Sequence, residues 1–241
     1  MQLDVTTPLF KRDQVQRAIA MATGKIDGPD RGPSKTLKAD LKRLLDLDRG
    51  KGVDWLRSRG GPVHFAFFDQ EPPGSGVDIA YSFANAFRLH LGQRLLQGGL
   101  PQMEAVYILR QTRHRLDRAL AGILAVPPEH RRPDLSAVEL ERQIRNGLLI
   151  RSAQAMTYFV THGGMGAGSL LHRDPATGEL ESANVPTGVE ELARVLEALA
   201  LSSALPLMVV EIANPAYQLH HLLLTTPASR RGRPAKRTPV S

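Results

Sequence analysis

Histidines, clustered glycines and runs of cations are the residues here whose spacing bears on chemistry. His220 and His221 are adjacent, and His162 and His172 flank a glycine-rich stretch. A histidine metal site needs its ligands on one face, as at i and i+4 of a helix. Adjacent helical residues diverge by about 100°, so the pair does not converge, and no metal site is expected. Gly163, Gly164, Gly166 and Gly168 follow a strand-like run. Such glycines let backbone N–H groups approach a phosphate, but the spacing is not GxGxxG and no Lys-Ser/Thr pair follows. A plain loop is the expectation, with a nucleotide-using enzyme as the competing reading. The chain has no cysteine, which removes a thiol nucleophile and thiolate zinc ligation. No Gly-x-Ser-x-Gly elbow occurs. Glu190 and Glu191 follow Thr187, with Glu190 at the capping-box spacing. They complement a helix dipole rather than form an acid/base pair. These residues point to a protein that is not an enzyme and needs no cofactor.

The cations are more informative. Over 241 residues, 31 Lys and Arg stand against 24 Asp and Glu, a net charge of +7. A basic surface attracts polyanions. Arg31 to Arg59 holds nine Lys/Arg against four Asp, and Ala228 to Ser241 holds five Lys/Arg and no acid. Within the first cluster, Lys35, Lys38, Lys42, Arg43, Arg57 and Arg59 are the candidate DNA contacts. In the second, Arg231-Gly232-Arg233-Pro234 resembles the core of an AT-hook. An extended Arg-Gly-Arg fits a narrow A·T minor groove, which makes Arg231 and Arg233 candidates. The alternative is a solvated basic face and a solubilising tail.

The elements that must position these residues follow from periodicity. Residues 12–22 read as a helix with Val15, Ile19 and Ala22 on one face, stopped by Gly24. A loop spans 23–33. Ser34 caps a second helix to about Asp48, whose Leu37, Leu41, Leu44, Leu45 and Asp48 share a face. That leaves Lys35, Lys38, Lys42 and Arg43 on the other surfaces. Val63 to Phe68 and Val77 to Ser82 read as two strands of a hairpin around Asp69–Gly76. A helix over 83–97 ends at Gly98-Gly99. Pro101 opens a long helix to Ala125, with Arg110, Arg113 and Arg118 outside its apolar stripe. Pro-rich 126–134 reads as a linker. Beyond it come a helix at 135–145, strand-like runs at 148–150 and 156–161, a hairpin around 174–178 and a helix at 190–201. Residues 207–212 read as a buried strand or a helix start. Asn214-Pro215 interrupts there, and 216–224 is helical. The last residues are too polar to pack.

The order helix, basic helix, hairpin, helix, glycine turn, long helix resembles the MerR-type winged helix over residues 12–124. It is clearest in YSFANAFRLHLGQRLLQGGLPQMEAVYILRQTR, where Tyr81, Leu91, Leu95, Gly99, Leu100, Val106 and Leu109 stand at the family's roles. The resemblance implies an α+β, mostly helical chain. A winged-helix DNA-binding domain at 1–125 would precede a small mixed α/β domain at 135–226 and a disordered basic tail at 227–241. It implies a homodimeric transcriptional regulator of double-stranded DNA, paired through Leu109, Leu116, Leu120 and Ile123 of the long helix. A non-catalytic adaptor is the alternative. The longest nearly apolar run, Ala204 to Ile212, is about half of the roughly 20 residues a membrane span needs. A cytoplasmic protein without membrane contact is therefore expected.

Overall fold

Two serines set the frame of the helical layer. The Ser34 hydroxyl accepts from Leu37 N at 3.2 Å, and the Ser82 hydroxyl accepts from Asn85 N at 3.2 Å. Each satisfies one of the amide groups that a helix start leaves without a partner. The computed structural model describes residues 8–27, 32–50, 65–72, 79–126, 156–162, 172–173, 180–181, 183–202 and 207–228. In chain order these give β1 (Phe10–Lys11), α1 (Arg12–Thr23), α2 (Lys35–Asp48), β2 (Ala80–Tyr81), α3 (Phe83–Gln97), α4 (Gln102–Gln111) and α5 (Arg113–Ala125). Then come β3 (Tyr158–His162), β4 (His172–Arg173), β5 (Leu180–Glu181), β6 (Ala183–Asn184), α6 (Val189–Ser202), β7 (Leu207–Glu211) and α7 (Ala213–Thr225). The architecture is α+β and mostly helical. No helix among the described residues is long and apolar enough to cross a membrane.

Helix α3 is the hub. Phe83, Ala86, Phe87, Leu89, Leu91 and Leu95 are buried, and so are Asn85, Arg88, His90 and Gln93, so the helix is covered on nearly all sides. α2, α4, α5 and α7 pack around it. At Gly92 a Cβ would meet Leu109 Cδ1 at 3.2 Å and Leu44 Cδ1 at 3.3 Å, so the missing side chain lets these leucines approach the helix backbone. α1 ends at Gly24, which takes φ +66° and donates back to the last turn. A Cβ-free residue adopts that left-handed cap without strain.

The helix expected over 101–125 is two helices. It breaks at Thr112, whose hydroxyl donates to Ile108 O at 2.7 Å. Such a side-chain bond to the preceding turn competes with the ladder and bends helices. Pro215 does not interrupt α7 but lies in its first turn, where an N–H would have no intrahelical acceptor, so the one that proline lacks is not missed.

The C-terminal sheet has the order β6-β3-β7 and is antiparallel throughout, with Phe159 opposite Val210 and Thr161 opposite Ala183. β4 and β5 pair antiparallel across the expected hairpin. The helix at 135–145, the strand-like run at 148–150, the linker at 127–134 and the tail from 229 lie outside the described residues. On either side of that linker the apolar core is continuous. Phe159, Ile212, Ala216, Leu219 and Leu223 belong to the same buried cluster as Val15, Phe87 and Leu120. α7 packs on α1, α3 and α5, and Gln14 Nε2 donates to Leu223 O and Thr226 O at 2.9 and 2.8 Å.

The expected wing is not made by residues 65–68 and 79–82. Residues 65–68 form no strand, and β2 pairs instead with β1, Phe10 opposite Tyr81. The reason lies in side chains from elsewhere. The backbone groups of 65–68 that a hairpin would use are taken by Asp48, Arg88 and Arg113.

Candidate functional site

Two polar assemblies stand out, one closed and one open. The closed one surrounds residues 65–69. Asp48, fully buried at the end of α2, accepts from Ala66 N at 2.9 Å and Phe67 N at 2.8 Å. Arg110 Nε donates to Asp48 Oδ1 at 2.7 Å, and Arg110 Nη2 donates to the Asp48 carbonyl. Arg88, also fully buried, donates from Nε to Ala66 O at 2.6 Å and bonds Asn85 and Asp117 through its other nitrogens. Arg113 donates to Phe65 O and Phe68 O at 2.8 and 2.5 Å and to Asp69 Oδ1 at 2.6 Å. Burial pushes the Arg88 guanidinium below its ordinary range, an effect opposed by Asp117. Every one of these cations faces a carboxylate or a carbonyl. The assembly therefore holds a loop in place and leaves no charge free for a substrate. It also corrects an expectation, since Arg110 and Arg113 turn inward although they lie off the apolar stripe of their helices.

The open assembly is the outer face of α2. Leu37, Leu41, Leu44 and Leu45 are buried, which fixes the helix and turns the opposite side outward. Lys35, Lys38 and Lys42, at i, i+3 and i+7, form one exposed stripe, with Arg43 exposed on its flank. The stripe is about 10 Å long at a 1.5 Å rise per residue. None of the four cations is in an ion pair among the described residues. Lys38 also lines a cleft of about 570 Å³ whose other walls come from α1, from Ile26, Gly32 and Pro33, and from the end of α7. Across that cleft α1 presents Arg17, exposed and likewise outside any ion pair among the described residues. Sequence reasoning missed Arg17. Its signal was the second face of α1, where Asp13, Arg17 and Met21 recur at i, i+4 and i+8 beside the core face.

The remaining candidates divide plainly. Arg57, Arg59, Arg231, Arg233 and the glycines of 163–168 lie outside the described residues. Leu109, Leu116, Leu120 and Ile123, expected at a dimer contact, are 0 to 4% exposed. They are covered by the chain's own core, so this stripe offers no apolar seam to a second copy. His220 stacks edge-on against Phe83, ring centres 4.9 Å apart, while His221 is exposed. The two adjacent rings thus diverge as their spacing requires. Among the described residues no cluster of three potential metal ligands occurs. The carboxylate that reaches back at the start of α6 is Glu191 and not Glu190, accepting from Thr187 N at 2.8 Å.

No protein-family model matches the chain, and no curated protein or solved structure matches it significantly. A role has to be read from the chemistry of the open face.

Proposed function

We propose that the protein binds double-stranded DNA through phosphate contacts from the outer face of α2. One observation carries this reading: Lys35, Lys38 and Lys42 form a stripe on a helix whose opposite face is buried, exposed and without carboxylate partners among the described residues. Lysines held in a row on a fixed element replace condensed counterions along a polyanion. Phosphate contacts position a protein but do not read sequence. The described residues 65–72 and 79–82 make no wing hairpin, so the reading is one of backbone binding by a helix. A role in transcriptional regulation is carried only by the resemblance of residues 81–124 to MerR-type proteins.

The test is fluorescence anisotropy on random duplex DNA across a salt series. The full chain, a 1–227 truncation and the Lys35→Gln/Lys38→Gln/Lys42→Gln variant are compared. Each phosphate contact contributes about 0.9 to the slope of log K on log salt. The triple variant should therefore lower that slope by up to about 2.7, with the truncation nearer to the full chain. An unchanged slope in the triple variant, with binding lost on truncation, assigns the contact to the tail and overturns the reading.

A further inference from the structure

The cleft beside the stripe has a character of its own. Its volume, about 570 Å³, falls within the range of roughly 300–1,000 Å³ typical of small-molecule sites. Met21 and Ile26 line it and are 38% and 39% exposed, and Leu222 adds a third apolar group. Arg17 and Lys38 bring two cations outside any ion pair among the described residues, against the single carboxylate of Asp13. Thr226, 7% exposed, lines the same cleft, and its hydroxyl is buried without a hydrogen-bond partner. Exposed apolar side chains grouped in a concavity gain by being covered. Two cations at the same place favour an anionic group on whatever covers them.

We propose that this cleft binds a small amphipathic anion, an apolar body bearing one carboxylate or phosphate. The body covers Met21, Ile26 and Leu222, and the head group sits between Arg17 and Lys38. Lys38 belongs to both the cleft and the α2 stripe. A bound anion neutralises it and weakens the grip of α2 on DNA. This second step rests on the DNA-binding reading, whereas the ligand site does not.

Isothermal titration of the full chain with octanoate and with octyl phosphate tests the site; 1-octanol serves as the uncharged control, and acetate and inorganic phosphate as head groups without a body. One saturable site for octanoate or octyl phosphate is expected. The alcohol and the small anions should bind at least about tenfold more weakly. Arg17→Gln and Lys38→Gln should each weaken binding about tenfold, the scale of one charge-assisted hydrogen bond. Both are exposed side chains, and far-UV circular dichroism checks that the variants stay folded. Ile26→Ser should weaken both amphiphiles alike. Absence of saturable binding by either amphiphile at millimolar concentration overturns the site, as does equal affinity in the wild type and both Gln variants. Repeating the DNA titration with the amphiphile present separates the two readings. Bound amphiphile with unchanged DNA affinity rejects the coupling alone. A bound amphiphile with no DNA affinity at any salt leaves the site standing and removes the DNA reading.

Discussion

Asp48 has no contact with solvent, and its carboxylate is held by two backbone amides and one guanidinium. Removing one partner of such a pair costs more than forming it ever gained, because the other charge stays buried and unpaired. Asp48→Ala should therefore cost on the order of 3–5 kcal/mol in urea unfolding. That is a large share of a typical stability of about 5–15 kcal/mol. The double change Asp48→Leu/Arg110→Met should recover part of the loss, since two apolar groups need no counter-charge. A double variant no more stable than Asp48→Ala would show that the two backbone amides, and not the ion pair, dominate. His90 presents the opposite case, a titratable ring with no partner at Nδ1. Burial, reinforced by nearby Arg94, holds it down to about 3 from its usual 6.5. The unfolded chain then binds the extra proton between these values, so stability is full above pH 6.5 and falls as pH drops toward 3. The slope of that loss approaches about 1.4 kcal/mol per pH unit. Burial raises the Glu211 carboxyl and acts in the other sense, so the comparison should be with His90→Leu. Its stability should be flatter between pH 6.5 and 4, and parallel profiles would remove His90 as the cause.

Segment 65–69 is an element without regular structure, fixed by hydrogen bonds to Asp48, Arg88 and Arg113, with Arg110 holding Asp48 in turn. Its neighbour α3 meets it closely at Gly92, where a Cβ would lie 3.4 Å from Phe67 Cζ and nearer still to Leu44 and Leu109. Two effects compete in Gly92→Ala. Helix propensity favours alanine by about 0.8–1.0 kcal/mol, while crowding costs about 1–3 kcal/mol in a packed core. All three contacts are side-chain ends that can shift slightly, so Gly92→Ala should come out near neutral by thermal unfolding. Gly92→Val, which adds two more carbons and β-branching, should destabilise clearly. A tolerated valine would mean that the helices around α3 repack freely.

For the molecule as a whole, the decisive contact is α7 lying across α1, α3 and α5. It joins a segment after residue 212 to helices that precede residue 126, and Gln14 fastens its end. Leu116 is 1% exposed within this joint core. Leu116→Asp places a carboxylate there without a partner, which is among the costliest substitutions. It should collapse the helical circular dichroism signal rather than leave a folded chain of smaller mass. A folded Leu116→Asp variant with reduced mass by light scattering would restore this helix as a dimer contact. The proposed DNA contact depends on the same packing, because Leu37, Leu41, Leu44 and Leu45 are buried behind the α2 stripe and set the face that it presents.

The helices over 12–22, 34–48, 83–97 and 190–201, the Ser34 cap and the Gly24 stop were legible in the sequence, since each depends on residues within a few positions of one another. The leucine face of α2 was legible too, and with it the outward stripe of Lys35, Lys38 and Lys42. Even Asp48 fell on the buried side by its period. What periodicity could not decide was the partner of each polar group. Asp48 meets amides 18 and 19 residues away and a guanidinium 62 away, and Arg88 meets Asp117 29 residues away. Those distant groups hold residues 65–68 of the strand expected at 63–68 as a clamped loop, and β2 pairs with Phe10–Lys11 instead. They also drew Arg110 inward, although one turn of helix predicts it outside. The cleft belongs to the tertiary structure alone, because Arg17, Lys38 and Leu222 come from three helices that only the closed core brings together.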